Sequence, residues 1–234
     1  MRLFWHLLFA LAWFAPLAVT AADPNPLPLV SPMFGDHMVL QRGKPDLIWG
    51  WAKPGEIVRV EIAGHTARAT VGTDGRWQAE IQPPAAGGPY RLTIAGAGKI
   101  VTLHDLLVGD VWLCCGQSNM ELPLSRTLDG NQAIKTADHP QLRLFTVKSH
   151  PAYAPASVVQ GSWKVCSPET VTEDGGFSAV GYYFARKIQS ETNVPIGLVQ
   201  DCLGGTPAEA WTSSKTLRTL KDFDAGLDEV ARLH

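Results

Sequence analysis

Ser118 stands where an apolar segment gives way to small and amide residues, in the run Cys115-Gly116-Gln117-Ser118-Asn119. A hydroxyl just beyond the end of a buried strand is exposed and rigidly held, as a nucleophile must be. Backbone N–H groups of a strand-to-helix turn can point at the oxyanion that such a serine creates when it attacks an ester. Gly116 permits the sharp turn because it has no Cβ. The tripeptide alone is weak evidence for acyl transfer through Ser118, because a Ser-Asn pair that caps the next helix explains it at least as well.

A second glycine-rich corner, Leu203-Gly204-Gly205-Thr206-Pro207, follows another predicted strand. The carboxyl ends of parallel strands meet at one edge of a sheet, so the two corners can line one pocket. Without side chains, Gly204 and Gly205 let a backbone N–H approach a substrate oxygen closely, although a tight turn alone would also explain the pair. Met120 replaces the last glycine of a Gly-x-Ser-x-Gly elbow, which argues against an α/β-hydrolase arrangement.

The elements that position these corners differ between the two halves of the chain. Over residues 23–107, apolar and polar residues alternate in short stretches that are separated by turn dipeptides such as Pro54-Gly55 and Asp74-Gly75. This pattern predicts a small antiparallel β-sandwich. Its alternating tryptophans are typical of a core, and sugar binding by them is the alternative.

Residues 108–234 are predicted to form an α/β domain with a parallel sheet. Strands are expected at residues 108–113, 142–147 and 196–200, and amphipathic helices at residues 179–191, after the cap Ser178, and 216–233. Strand, crossover helix and strand form a right-handed βαβ unit.

Residues 1–22 combine Arg2, an apolar run and a small-residue exit, which predicts a secretory signal peptide, with a membrane anchor as the alternative. A secreted or periplasmic protein without stable membrane insertion is therefore expected. The net charge is −2 and the sequence has no basic runs. It therefore lacks the clustered positive charge that nucleic-acid binding needs. Four scattered cysteines predict at most one disulfide and lack zinc-site spacing. No cofactor or metal is expected.

Both corners, together with further segments in the same order, resemble the sialate O-acetylesterase family of SGNH-type hydrolases. The matching segments span nearly the whole mature chain and include residues 38–42, 49–52, 54–56, 75–77, 108–112, 166–170 and 177–182. The resemblance implies a β-sandwich followed by an SGNH α/β/α domain that is incomplete at its C-terminus. It implies a serine esterase that removes O-acetyl groups from carbohydrates such as sialic acids or plant polysaccharides.

The same resemblance implies roles for individual residues. Ser118 corresponds to the nucleophile, and the backbone N–H groups of Ser118 and Gly205 correspond to two parts of the oxyanion hole. Gln117, Asn119 and Thr206 are expected to shape the pocket.

The chain departs from the family pattern in its cysteines and in its last part. Cys115 stands where serine is common, and Cys202-Leu203 where Ser-Trp is common. The family's downstream asparagine motif and Asp-x-x-His segment are not present, since Asp228 and His234 are six residues apart and not three.

Two hypotheses follow from these departures. The chain is the front portion of a serine acetylesterase that lost its later strands to truncation or a frameshift, or it is a non-catalytic glycan-binding or vestigial protein. We also expect residues 23–234 to be poorly soluble or oligomeric, because an unfinished sheet leaves an open edge.

Overall fold

A computed structural model describes residues 27–96, 98–150 and 156–232 of the protein. The strands are β1 Val39–Gln41, β2 Asp46–Trp51, β3 Ile57–Ile62, β4 His65–Thr70, β5 Arg76–Ile81, β6 Gly87–Gly96, β7 Lys99–Gly116, β8 His139–Thr146, β9 Trp163–Cys166 and β10 Ile196–Cys202. The α-helices are α1 Ser118–Glu121, α2 Gly130–Lys135, α3 Ala179–Thr192, α4 Ser214–Leu217 and α5 Asp224–Arg232. No helix in these ranges is long and apolar enough to cross a membrane. The signal peptide predicted for residues 1–22 lies outside the described residues.

The first half of the chain folds into antiparallel sheets with the expected alternation. β3 pairs with β4 and β6, β6 pairs with the first part of β7, and β2 pairs with β5. Every second residue of β3 and β5 is buried, and these side chains share one core: Val58, Val60, Ile62, Trp77, Ala79 and Ile81. Alternating burial is what a sheet with one dry face requires.

The tryptophans of this half are mostly interior. Trp77 is buried and its Nε1 donates to the Leu29 carbonyl at 2.7 Å. Trp51 is also buried, and Trp49 packs edge-on against Phe34 with ring centroids 4.5 Å apart. These contacts favour the core interpretation of the tryptophans over a sugar-binding one.

One strand, β7, belongs to both halves of the molecule. It runs through 18 residues, antiparallel to β6 in its first part and parallel to β10 from Asp110 onward. The expected boundary at residue 107 therefore falls inside a continuous strand. The division into two domains stays a prediction.

The second half has the parallel sheet that the sequence predicts, in the order β7-β10-β8-β9. β10 is parallel to both β7 and β8, and α3 precedes it along the chain. Ser178 caps α3 as expected, with its Oγ accepting from the Gly181 N–H at 3.1 Å. The α/β fold is confirmed. The antiparallel edge strand β9 was not expected, because its four residues are too few for a pattern.

Two different layers cover the faces of this sheet. On one face, residues of α2 and α3 pack on the sheet, in a cluster that contains Ala133, Leu142, Leu144, Tyr182, Ala185 and Leu198. On the other face, Phe145, Trp163 and Val199 pack with Met38 in the core of the first half. The indole N–H of Trp163 also donates to the Met33 carbonyl at 2.9 Å. The first half thus supports the sheet that carries the candidate site.

The prediction of a single helix over residues 216–233 is wrong. α4 ends at Leu217, a 3₁₀ turn follows, and Lys221 adopts a left-handed backbone conformation with φ of 60° before α5 begins. Only Leu217 is buried in these segments. Packing of an apolar face supplies most of the stability of a helix in a protein. Because these residues pack against little else, one continuous helix is not stabilised.

Candidate active site

Ser118 is the first residue of α1 and follows directly on the carboxyl end of β7. Gly116 has φ of +141°, a conformation that requires glycine, so the turn forms as predicted. Gln117 is the N-cap: its Oε1 accepts from the Ser118 N–H at 2.9 Å and from the Ser118 Oγ at 2.7 Å. The alternative in which a Ser-Asn pair caps the helix is therefore wrong, because both residues lie inside it.

The second corner lies beside the first. Cys202 of β10 is paired with Gly116, and the Leu203 N–H donates to the Gly116 carbonyl at 3.0 Å. A Cβ on Gly204 would lie 3.7 Å from the Cβ of Ser118 and 2.5 Å from a carboxylate oxygen of Glu121. A side chain at position 204 would displace the Glu121 carboxylate, so glycine favours this close approach. The structure brings the two corners together as the sequence predicts.

Glu121 ties the second corner to α1. Its Oε2 accepts from the Gly204 N–H at 2.8 Å. The next residue, Gly205, has φ of +82°, and its N–H has no acceptor among the described residues. This N–H is therefore available as an oxyanion donor. The Ser118 N–H is hydrogen-bonded to Gln117 Oε1, so it becomes a donor for the oxyanion once Gln117 turns away.

A cavity of about 350 Å³ opens in front of Ser118. Its lining residues are Ser118, Glu121, Leu122, Pro123, Arg126, Asp174, Gly175, Gly176 and Gln200. Gln200 is buried at the end of β10, and its Oε1 accepts from the Ser178 N–H at 2.6 Å, which leaves its amide Nε2 as the free donor. Of the residues expected to shape the pocket, Gln117 and Asn119 are both exposed and neither lines this cavity.

Sequence reasoning missed Glu121, Arg126 and Gln200. Glu121 lies one helical turn after Ser118, and that spacing alone places it on the same side of α1. Gln200 is a polar residue at the end of a run of buried apolar residues in β10, which is the position where a parallel strand presents side chains to a ligand. Arg126 gives no comparable signal, because it lies in a short 3₁₀ turn.

A second cavity, of about 390 Å³, lies against the other side of the Gly204-Gly205 corner. It is lined by Val147, Lys148, Ser149, His150, Ala156, Val158, Val159, Gln160, Asp201, Cys202, Leu203, Thr206, Ala210 and Trp211. Thr206 Oγ1 donates to the Leu203 carbonyl at 2.7 Å and accepts from Trp211 Nε1 at 2.8 Å. The expected pocket residue Thr206 therefore faces this second cavity.

No imidazole of the described residues is hydrogen-bonded to Ser118. His37 pairs with Asp105 at 2.7 Å, and His139 bonds to the Tyr182 hydroxyl at 3.1 Å. Burial lowers the pKa of His139, with the positive charge of Arg186 adding to the effect. His150 lines the second cavity. Within residues 27–96, 98–150 and 156–232, no group of three or more His, Cys, Asp or Glu side chains could hold a metal ion.

Cys114 and Cys202 lie near the site as thiols of low reactivity. All four cysteines of the chain are free, and Cys202 Sγ donates to the Cys114 carbonyl at 3.1 Å. Burial raises the pKa of Cys202 to about 12 and that of Cys114 to about 11. Neither forms a thiolate near neutral pH.

Comparison with known proteins gives a family and several relatives. The family model described as a sialic acid-specific acetylesterase among the carbohydrate esterases matches residues 108–226. Sialate O-acetylesterase of Mus musculus is 31% identical over 201 residues, which cover 78% of this chain and 37% of that protein. The Homo sapiens protein is 30% identical and is covered to 38%.

A solved structure agrees with these sequence relatives. The crystal structure of a carbohydrate acetylesterase from Xanthomonas citri superposes with a TM-score of 0.75 at 39% identity, over 80% of this chain and 43% of that one. The chain thus spans less than half the length of these relatives, all of which are named as carboxylic ester hydrolases. On the family match and these likenesses, the chain belongs to the sialic acid-specific acetylesterase family of carbohydrate esterases.

Proposed function

We propose that this chain supplies the nucleophile and the oxyanion corner of a secreted serine esterase that removes O-acetyl groups from carbohydrates. One observation carries the proposal: the Gly204-Gly205 corner lies against Ser118 at the carboxyl end of the sheet, with the Gly205 N–H unoccupied among the described residues. An exposed hydroxyl beside a free backbone donor is what acyl transfer needs. The names of the sequence relatives favour an acetylated sialic acid as the substrate.

The proposed reaction has two steps. In the first, Ser118 Oγ forms a bond to the acetyl carbonyl carbon, the oxyanion is held by the Gly205 N–H, and the sugar leaves as an alcohol after taking a proton. In the second, water attacks the acetyl-serine, the bond between the acetyl carbon and Ser118 Oγ breaks, acetate is released, and a proton from the water restores the Ser118 hydroxyl. Gln117 must turn its Oε1 away from Ser118 in the first step, because this oxygen holds both the N–H and the hydroxyl of Ser118.

The base that takes the serine proton comes from elsewhere in this proposal. Gln117 accepts the Ser118 hydroxyl proton in a hydrogen bond, but an amide oxygen is too weakly basic to remove it. We place the base, and the Asp that orients it, on the Asp-x-x-His segment that the family resemblance implies. Signal-peptide cleavage after residue 22 would deliver the enzyme outside the cytoplasm.

The test is hydrolysis of an aryl acetate by the purified protein, beside Ser118→Ala and the matched control Ser190→Ala, with and without added imidazole. Ser190 is exposed on α3 and its Oγ bonds only to the Lys187 carbonyl within the described residues. A site that lacks its base retains only about 10³ to 10⁴-fold over water, so we expect weak turnover that imidazole raises. After the enzyme-free hydrolysis by buffer and imidazole is subtracted, Ser118→Ala should abolish both the turnover and the imidazole effect, whereas Ser190→Ala should change neither. Equal rates for wild type and Ser118→Ala would reject the proposal.

A second function is favoured by the hydrogen bond between Ser118 and Gln117, since a serine held by an amide suits a site that binds without turnover. In that case the protein recognises acetylated glycans and releases no acetate. Binding of an acetylated sugar, with no turnover dependent on Ser118 even in imidazole, would establish this second function.

A further inference from the structure

We infer that the cavity beside Trp211 holds the pyranose ring of an O-acetylated sugar, with the indole of Trp211 as the surface on which the ring stacks. The inference rests on the proposed function, because it assigns the place of the sugar whose acetyl ester reaches Ser118.

The orientation of Trp211 is fixed by hydrogen bonds. Its Nε1 donates to Thr206 Oγ1 at 2.8 Å, and that hydroxyl donates to the Leu203 carbonyl at 2.7 Å. The polar edge of the indole is thereby satisfied, while the residue stays 39% exposed. An aromatic ring that is already held in place loses little conformational entropy when a ligand stacks on it. Its negative face attracts the weakly positive C–H groups of a pyranose.

The same hydrogen bonds connect Trp211 to the candidate nucleophile. Leu203, whose carbonyl accepts from Thr206, donates its own N–H to Gly116, two residues before Ser118. The second cavity and the cavity of Ser118 therefore lie on the two sides of one corner. In this inference the acetyl ester lies at the corner itself, between the ring at Trp211 and the hydroxyl of Ser118.

Alternation along β10 separates the two cavities. Gln200 lines the cavity of Ser118, and Asp201, the next residue, lines the cavity of Trp211. Neighbouring strand residues face opposite sides of a sheet, so each cavity receives its own polar group from the end of β10. The Asp201 carboxylate can accept hydrogen bonds from the hydroxyls of a sugar ring. An acetyl group has no hydrogen-bond donor, so this carboxylate suits the ring and not the ester.

The lining of the second cavity matches a sugar in size and polarity. Its volume of about 390 Å³ lies in the range of small-molecule sites. Apolar side chains, such as Val158, Val159 and Leu203, form part of the wall, with Lys148 and Asp201 as the charged groups. One charge of each sign gives no general attraction for anions. A pyranose, which has an apolar face and a polar rim, fits this combination.

The test measures binding of a mono-O-acetylated methyl pyranoside by calorimetry, with Ser118→Ala as the background so that no ester is lost. We expect Trp211→Leu to raise the dissociation constant at least tenfold and Trp211→Phe to raise it less. The matched control is Trp112→Leu, since Trp112 is an exposed tryptophan that packs on Phe184 of α3. Circular dichroism melts of each variant establish that it is folded.

A second variant examines the orientation of the indole. Thr206→Val removes the hydroxyl that holds Trp211 Nε1, so it should weaken binding, and Thr206→Ser should restore it. Binding unchanged by Trp211→Leu, an equal loss in Trp112→Leu, or no binding by the Ser118→Ala protein would overturn the inference. The proposed function is judged separately, by the Ser118 dependence of aryl acetate turnover, so the failure of one does not imply the failure of the other.

Discussion

At the scale of single residues, Glu121 determines where the second corner lies. Its carboxylate accepts from the Gly204 N–H at 2.8 Å, and a Cβ on Gly204 would displace that carboxylate. The side chain does not bond to Ser118 and therefore acts through the corner. Glu121 is accordingly a positioning residue for the Gly205 N–H, which is one peptide unit further along.

Glu121→Ala should loosen this corner without unfolding the protein. A single hydrogen bond contributes about 1 kcal/mol net, so we expect protection of the Gly204 amide from hydrogen exchange to fall about fivefold. Any Ser118-dependent turnover of aryl acetate should fall by a similar factor. Glu121→Gln retains an acceptor oxygen and should restore most of the protection.

Glu191→Ala is the matched control for this prediction, because Glu191 is exposed on α3 and pairs only with Lys187 within the described residues. If Gly204 protection is the same in Glu121→Ala as in the wild type, Glu121 does not hold the corner.

At the scale of elements, an ion pair joins β7 to β8 at the junction of the two halves. Arg143 of β8 is buried, with only 4% of its surface exposed. Its Nη1 donates to Asp105 Oδ2 at 2.7 Å, and its Nη2 donates to Asp105 Oδ1 at 3.3 Å. The same guanidinium donates to the His37 and Pro140 carbonyls. The hydrogen bond from Arg143 lowers the pKa of Asp105, and His37 contributes less.

Asp105→Asn should destabilise the protein by about 1 to 2 kcal/mol near neutral pH, because it leaves a buried guanidinium without its counter-charge. Asparagine tolerates the left-handed backbone of Asp105, whose φ is 54°, so the substitution adds little strain. Urea unfolding of the wild type and the variant at about pH 7 and about pH 3 measures the difference.

The pH dependence follows from the direction of the pKa shift. Since the folded-state pKa of Asp105 lies below its ordinary value of 3.8, the carboxylate stabilises the fold above that value. The contribution is lost as the pH falls through the folded-state pKa, so the two proteins should converge in acid. Asp228→Asn, which breaks an exposed pair with Arg218, should cost less than about 0.5 kcal/mol. A gap that persists unchanged in acid would contradict the assignment to this ion pair.

The elements predicted from sequence are those with a surface to pack against. The helix at α3 was predictable because its cap and its apolar spacing agree with the face that it buries. The strands β3 and β5 were predictable for the same reason. The break at Lys221 was not, because periodicity does not reveal whether a partner surface exists. Ser118 and Gly205 could be paired from the sequence, whereas Glu121 and Trp211 depend on how two corners meet in space.

At the scale of the whole molecule, β7 has a side that no described strand covers beyond Val111. β1 pairs with β7 only from Leu107 to Gly109, and the Val111 N–H is then satisfied by the Gln41 side chain. Further along, Leu113 is 64% exposed, and Trp112 and Phe184 form an exposed apolar contact nearby. An open strand edge presents unpaired backbone N–H and C=O groups, which can pair with a strand of another chain.

We therefore expect the protein to self-associate, and Leu113→Lys to raise the monomer fraction, because a lysine on an edge strand opposes pairing. Size exclusion with light scattering over a concentration series measures the change. Leu128→Lys is the matched control, since Leu128 is 90% exposed but lies outside β7. A wild-type protein that elutes as a monodisperse monomer would refute this expectation.

The continuity of β7 also limits how this protein can be recombined with its relatives. A crossover at residue 107 would join two half-strands whose neighbours, β6 on one side and β10 on the other, come from different parents. A functional chimera has to carry the whole strand and both neighbours from one parent. Because Phe145, Trp163 and Val199 of the second half also pack in the core of the first, the two halves form one structural unit.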